Sequence, residues 1–97
     1  MVMVAVIIVD SIGEPVEGVP VKWTADGSPE SPVYNTDEDG IAWLNVPPHS
    51  RGSFVVETQI YNQYLQETLP YQITGQENNG TIFIMTLSDD MIQNLFR

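Results

Sequence analysis

Val2-Met3-Val4-Ala5-Val6-Ile7-Ile8-Val9 is the stretch that decides how this chain is read. Eight apolar residues in a row, most of them β-branched, favour a strand over a helix. The run falls far short of the roughly 20 residues needed to cross a bilayer. It has no positively charged start, and no small-residue cleavage pattern follows Asp10, so it does not read as an export signal. Side chains alternate along a strand, which puts Val2, Val4, Val6 and Ile8 on one face and Met3, Ala5, Ile7 and Val9 on the other. Both faces are apolar. A β-sandwich buries only one face of each sheet against its partner sheet, so the second face needs another cover.

Working outward, the chain continues in short alternating runs separated by turn formers, which is the signature of an all-β sandwich. Asp10 to Pro15 is a loop, and Val19, Val21, Trp23 and Ala25 then share one face of a second strand. Val33–Thr36 and Ile41–Val46 flank Asp37-Glu38-Asp39-Gly40, whose Asp-Gly pair predicts a hairpin. Ala42, Leu44 and Val46 fall on one face of the later strand, with Ile41 and Trp43 on the other, and Pro47-Pro48 ends it. Gly52–Ile60 is a further strand. Tyr61–Leu69 also fits a helical spacing, but alternation resumes at Tyr71 and Ile73, which favours a bent strand or two short ones. Gln76–Gly80 reads as a second hairpin turn into Thr81–Leu87, where Ile82, Ile84 and Thr86 oppose Phe83, Met85 and Leu87.

The period then changes. Ser88 suits an N-cap, Asp89 and Asp90 suit the positive end of a helix dipole, and Met91, Ile92, Leu95 and Phe96 gather on one side. The expectation is one domain over residues 1–97: an all-β, immunoglobulin-like β-sandwich of about seven strands over 1–87, with a short C-terminal helix over 88–97.

Composition narrows the function classes. Without cysteine there is no disulfide framework, thiolate metal site or thiol nucleophile. Packing alone must hold the fold, with Trp23, Trp43, Phe54 and the tyrosines as bulky core material. Thirteen acidic residues against Lys22, Arg51 and Arg97 give a net charge of −10. Such a surface repels nucleic acid and anionic membranes alike.

Strung together, the first half of the chain has a familiar pattern. It runs Val9-Asp10, Gly13, Pro15-Val16, Gly18-Val19, Val21 and Trp23, then Thr36-Asp37, Asp39-Gly40, Ala42, Leu44 and Val46-Pro47, followed by Gly52, Phe54 and Val56. Over residues 4–58 this resembles bacterial immunoglobulin-like domains of the invasin and intimin type. It also resembles the related carboxypeptidase-regulatory and transthyretin-like sandwiches. The shared residues are turn and core chemistry, so the resemblance implies a fold and no ligand. Invasin-type relatives occur in tandem behind a signal sequence, and this chain reads as having neither. A leaderless sandwich of this kind is similar to the decoration domains of tailed-phage capsids, tails and fibres, which assemble in the cytoplasm.

Catalytic and metal chemistry finds little support. Asp37, Glu38 and Asp39, with Asp10, offer oxygens for Ca²⁺, but the twelve-residue loop with its terminal glutamate is absent, and a tight turn wants the same residues. The lone His49 rules out a multi-histidine zinc site, and its neighbour Ser50 has no visible orienting partner. Gly75–Gly80 lacks the Lys-Ser/Thr ending of a phosphate loop. Tyr61, Tyr64 and Tyr71, with Asn62 and Gln63, offer a polar-aromatic platform, or simply fit a pleated surface.

The expectation is therefore a non-enzymatic protein without cofactor or metal. It decorates a virion by binding a capsid or tail protein, with no nucleic-acid or membrane partner. Met91, Ile92, Leu95 and Phe96 are the candidate contact residues, with Met3 and Ile7 as a second set. Cover of the second apolar face by the chain's own helix is slightly favoured over cover by another subunit or a host particle. The alternative function is a carbohydrate- or receptor-binding adhesion module at a cell surface.

Overall fold

The computed structural model of the chain describes residues 1–77 and 80–96. Seven strands and one helix follow in order: β1 (Val2–Val9), β2 (Pro20–Ala25), β3 (Tyr34–Asn35), β4 (Ile41–Val46), β5 (Ser50–Ile60), β6 (Gln63–Ile73), β7 (Thr81–Thr86) and α1 (Asp89–Leu95). They form two sheets, β4-β1-β7 and β3-β2-β5-β6. β1 is the centre of the first sheet, antiparallel to β4 and parallel to β7. The protein is thus a seven-stranded, immunoglobulin-like β-sandwich with a short C-terminal helix. Its strand order departs from the antibody arrangement, in which the first, second, fifth and fourth strands share one sheet. Here the first strand leaves the second and joins the fourth and seventh.

The core follows the alternation. Val2, Val4, Val6 and Ile8 of β1 meet Val21, Trp23 and Ala25 of β2, Ala42, Leu44 and Val46 of β4, and Phe54 and Val56 of β5. Trp23 links the layers through a polar atom as well, its Nε1 donating to the Asn45 carbonyl at 2.7 Å. Thr36 is the buried polar side chain of the core wall. Its Oγ1 accepts from the Val19 amide at 2.9 Å and donates to the Val16 carbonyl at 2.7 Å. Two main-chain groups that β2 cannot satisfy by pairing are answered there.

Two expected hairpins are not hairpins. The Asp37–Gly40 turn is tight, with the Gly40 amide donating to the Asp37 carbonyl and the Asp37 amide to the Ile41 carbonyl, both at 2.9 Å. Yet β3 pairs with β2 while β4 pairs with β1, so the turn carries the chain from one sheet to the other. Asp-Gly chemistry fixes a reversal of direction and leaves open whether the flanking strands pair or face each other across the core. Gly40 is required for a second reason: its φ is +75°, and a Cβ there would lie 2.8 Å from the Ile8 carbonyl oxygen. The connection through Gln76–Gly80 likewise crosses between sheets, joining β6 to β7; Asn78 and Asn79 of that segment lie outside the described residues.

The long hairpin lies where the sequence is ambiguous. β5 and β6 pair over eleven positions, from Ser50↔Ile73 to Ile60↔Gln63, closed by Tyr61 and Asn62. Tyr61 takes a positive φ of 56°. Neither residue is glycine, so the usual turn signal is missing. Pro70 sits in β6, and β6 is an edge strand, where a missing N–H is tolerated.

This hairpin is longer than the sheet facing it, and α1 packs against β5 to cover the rest of its inner face. Ser88 caps the helix, accepting from the Met91 amide at 3.2 Å, and the Ser88 amide in turn donates to the Glu67 carboxylate. Met91 is buried in the core, with Ile92 and Leu95 packed against it. Arg97, the last residue assigned to the tail, lies outside the described residues.

Candidate functional site

The position of α1 leaves the outer face of β4-β1-β7 open. The favoured cover by the chain's own helix does not occur, because the helix is engaged by the inner face of the long hairpin. Register places the outward side chains in rows. Trp43, Ala5 and Ile82 lie side by side across the three strands, and Ile41, Ile7 and Ile84 form the next row. Met3 flanks them beside Asn45. Trp43 is 48% exposed, Ile82 and Ile84 are each 61% exposed, and Met3 is 40% exposed. Ala5, small and central, is buried between its larger neighbours. None of the three strands carries a charged residue, in a chain with thirteen acids. An apolar, uncharged, contiguous patch of this kind is unusual on the free surface of a small protein.

The outer face of the other sheet is its opposite. Lys22 of β2 bonds Glu30 at 2.9 Å and also Glu57 of β5, and Glu57 accepts from Tyr64 of β6. The hydrogen bonds that Lys22 donates to Glu30, then Glu57, raise its pKa. Bonds from Lys22, then Tyr64, lower that of Glu57, and the Glu57 carboxylate raises that of Tyr64. Gln66 joins through Tyr64 at 3.0 Å. This network lies over Val55, which is buried although it points outward. A face whose polar groups answer one another has little to gain from a partner.

The sequence-derived candidates fall in different places. Met3 and Ile7 lie on the open face. Met91 is 2% exposed and belongs to the core, Ile92 and Leu95 are half-buried against it, and Phe96 is 52% exposed with its ring beside Gly18. Trp43, counted among core aromatics by composition, is on the surface; Ile82 and Ile84 are the further members that alternation had already set opposite the core residues Phe83 and Met85. The three tyrosines do not form one platform. Tyr71 points inward and stacks on Phe54 at 4.7 Å, while Tyr61 and Tyr64 are exposed.

The acidic turns are occupied by the backbone. Asp37 Oδ1 accepts from the Asp39 and Ile41 amides, and Asp10 Oδ1 from the Ile12 and Glu14 amides. Among the described residues, no group of three or more His, Asp or Glu side chains is placed to hold a metal ion. His49 has a φ of +53° and lines an open depression of about 440 Å³ with Ser50, Arg51, Gln72, Ile73 and Thr74. Ser50 Oγ donates to the Pro47 carbonyl at 2.7 Å, so its hydroxyl is held by the backbone.

Glu77, in the β6–β7 connection, is the most perturbed carboxylate. Backbone donation from Thr74 leads, with the Thr74 hydroxyl and the Gly75 amide adding to it, and its pKa is lowered to about 2. The folded-state pKa lies below the ordinary glutamate value of 4.5, so the loop contact is complete above that value and is lost as pH falls through about 2. A carboxyl-detected NMR titration should show the Glu77 midpoint well below those of the other glutamates. A midpoint near 4.5 would mean the carboxylate is free in solution.

Neither a scan of protein-family models nor a search of curated proteins finds a match. Solved structures do match. The TIE protein of Bacillus anthracis superposes with a TM-score of 0.57 at 19% identity, over 89% of this chain and 16% of that one. The present chain therefore spans about one-sixth of that neighbour's length. The 5-hydroxyisourate hydrolase of Klebsiella pneumoniae matches with a TM-score of 0.48 at 19% identity, over 89% of this chain and 90% of that one. At this identity the likeness is one of fold. No helix among the described residues is long and apolar enough to cross a membrane.

Proposed function

We propose that this chain is a non-enzymatic structural module that seats itself on a larger protein assembly, as a virion decoration protein bound to a capsid or tail protein. The observation carrying this reading is the open outer face of β4-β1-β7, with Trp43, Ile82, Ile84 and Met3 exposed around Ala5 and no charge in any of the three strands. Met3 and Ile7 are retained as contact residues from the sequence reading. Trp43, Ile82 and Ile84 join them, and Phe96 is the helix residue left available. A tryptophan in the middle of a desolvated contact is the usual energetic anchor of such interfaces. The acidic remainder of the surface steers a partner with a basic rim.

Mass spectrometry of purified phage particles should find the 10.8 kDa chain at a fixed ratio to a capsid or tail protein. A Trp43→Asp variant, folded by circular dichroism, should bind such particles about 100-fold more weakly. Absence of the chain from particles, or full binding by the variant, would overturn the proposal.

A second reading is favoured by the match to one segment of the much longer Bacillus anthracis TIE protein. In it the sandwich is one bead of a surface protein that binds a carbohydrate or a receptor, with Tyr61 and Tyr64 as the exposed aromatics. Specific signal for the free chain on a glycan array would favour this reading over the first.

A further inference from the structure

The two sheets have four edge strands, and three of them are closed to pairing. β3 is two residues long. β6 carries Pro70, which has no N–H, and the charged Glu67. β4 is engaged by its own chain: the Ile41 amide donates to Asp37 Oδ1 at 3.0 Å, the Ile41 carbonyl accepts from the Asp37 amide at 2.9 Å, and the Asn45 carbonyl accepts from Trp23 Nε1 at 2.7 Å. Among the described residues, Ile82–Met85 of β7 have none of these protections. Its sequence, Thr81-Ile82-Phe83-Ile84-Met85-Thr86, contains no charge, proline or glycine. Among the described residues, β1 is its one strand partner, and no other element donates to or accepts from the main chain of Ile82–Met85.

We infer that β7 pairs with β7 of a second copy of this chain, antiparallel about a twofold axis, to form a closed dimer. A strand without charge is complementary to itself, whereas a charged edge would call for a partner of opposite sign. Pairing centred on Phe83 sets Ile82 opposite Ile84 of the second copy, on the same outer face. The result is a six-stranded sheet, β4-β1-β7-β7-β1-β4, in which the two open apolar faces become one continuous surface. Each outer edge of that sheet is β4, which is already engaged, so growth stops at two and no fibre forms. The side chains of Ile82 and Ile84 stay outward, so the inference stands or falls separately from the partner proposed above.

Sedimentation equilibrium of the full chain between about 1 µM and about 1 mM tests it. The mass should rise from 10.8 kDa toward twice that value. Two copies at −10 each repel, so raising NaCl from about 0.05 to about 0.5 M should tighten the dimer several-fold; a basic heterologous partner would respond the other way. Ile84→Lys, a charge at the pairing edge, should weaken the dimer at least ~10-fold, while Trp43→Asp, two strands away, should change it by less than about twofold. Hydrogen exchange on the unaltered chain gives a reading independent of any variant: alternate amides of Ile82–Thr86 should slow as concentration rises. A monomer throughout the range, open-ended polymers, equal loss on Trp43→Asp, or exchange that ignores concentration would each overturn the inference.

Discussion

Phe54→Ala is expected to cost about 4 kcal/mol and to lower the melting temperature by roughly 20 °C. Phe54 is fully buried in β5, one of the two inner strands of the four-stranded sheet. Its ring stacks on Tyr71 of β6 at 4.7 Å and tilts against Phe83 of β7 at 5.0 Å, so it joins both sheets. Truncation removes the transfer energy of the ring and leaves a cavity that two flanking rings cannot close without shifting a strand. A protein of this size has roughly 5–15 kcal/mol of stability, so the loss is a large share of the whole. Phe54→Leu should retain more than half of it. Urea unfolding followed by tryptophan fluorescence measures both. A loss below about 1 kcal/mol for the alanine variant would mean the ring does not bridge the layers.

Gly52→Ala is expected to be as severe for a different reason. A Cβ at Gly52 would stand 1.7 Å from the Thr24 carbonyl oxygen and 2.8 Å from the Ala25 Cα. Both are main-chain atoms of β2, the strand to which Gly52 is paired through Ala25. No side-chain rotation relieves that overlap, so β2 and β5 must separate at the Ala25–Gly52 pair, two positions along the ladder from Trp23 and Phe54. The expected cost is about 3 kcal/mol or more, with much of the protein insoluble on expression. Gly27→Ala makes the control. Gly27 has a φ of +77° but nothing within 4 Å of the added methyl group, so only the conformational cost of about 1 kcal/mol remains. Equal stability of the two variants would contradict the close approach of β2 and β5.

Much of the candidate site was legible before the fold. Alternation set Met3, Ala5, Ile7, Ile41, Trp43, Ile82 and Ile84 opposite the inward residues of their strands, and each is outward in the structure. What the alternation does not contain is adjacency. Trp43, Ala5 and Ile82 form a row because β4 and β7 both pair with β1, and a turn motif between β3 and β4 pointed to a different pairing. The helix was visible through Ser88, Asp89 and the grouping of Met91, Ile92 and Leu95, but its docking place was not. That place depends on the length of a β5–β6 hairpin whose turn, Tyr61-Asn62, has no glycine. The direction of Tyr71 was left open for a related reason: it follows from register with Gly52, which only the paired strand supplies.

The division has a physical cause. The period of two, the proline stops, the acidic turns and the helix cap are properties of a few consecutive residues, and short-range sterics and hydrogen bonds enforce them wherever the chain goes. So the sequence by itself determined a β-rich chain with one short terminal helix, two-faced apolar strands and a net charge of −10. Sheet membership rests on hydrogen bonds between segments as distant as Val4 and Thr81. All backbones offer the same groups for such bonds, so their choice is settled by which arrangement buries the most side chains at once. Only the tertiary structure could decide that β1 would lie between β4 and β7, that α1 would cover the long hairpin, and that one apolar face would be left open to solvent.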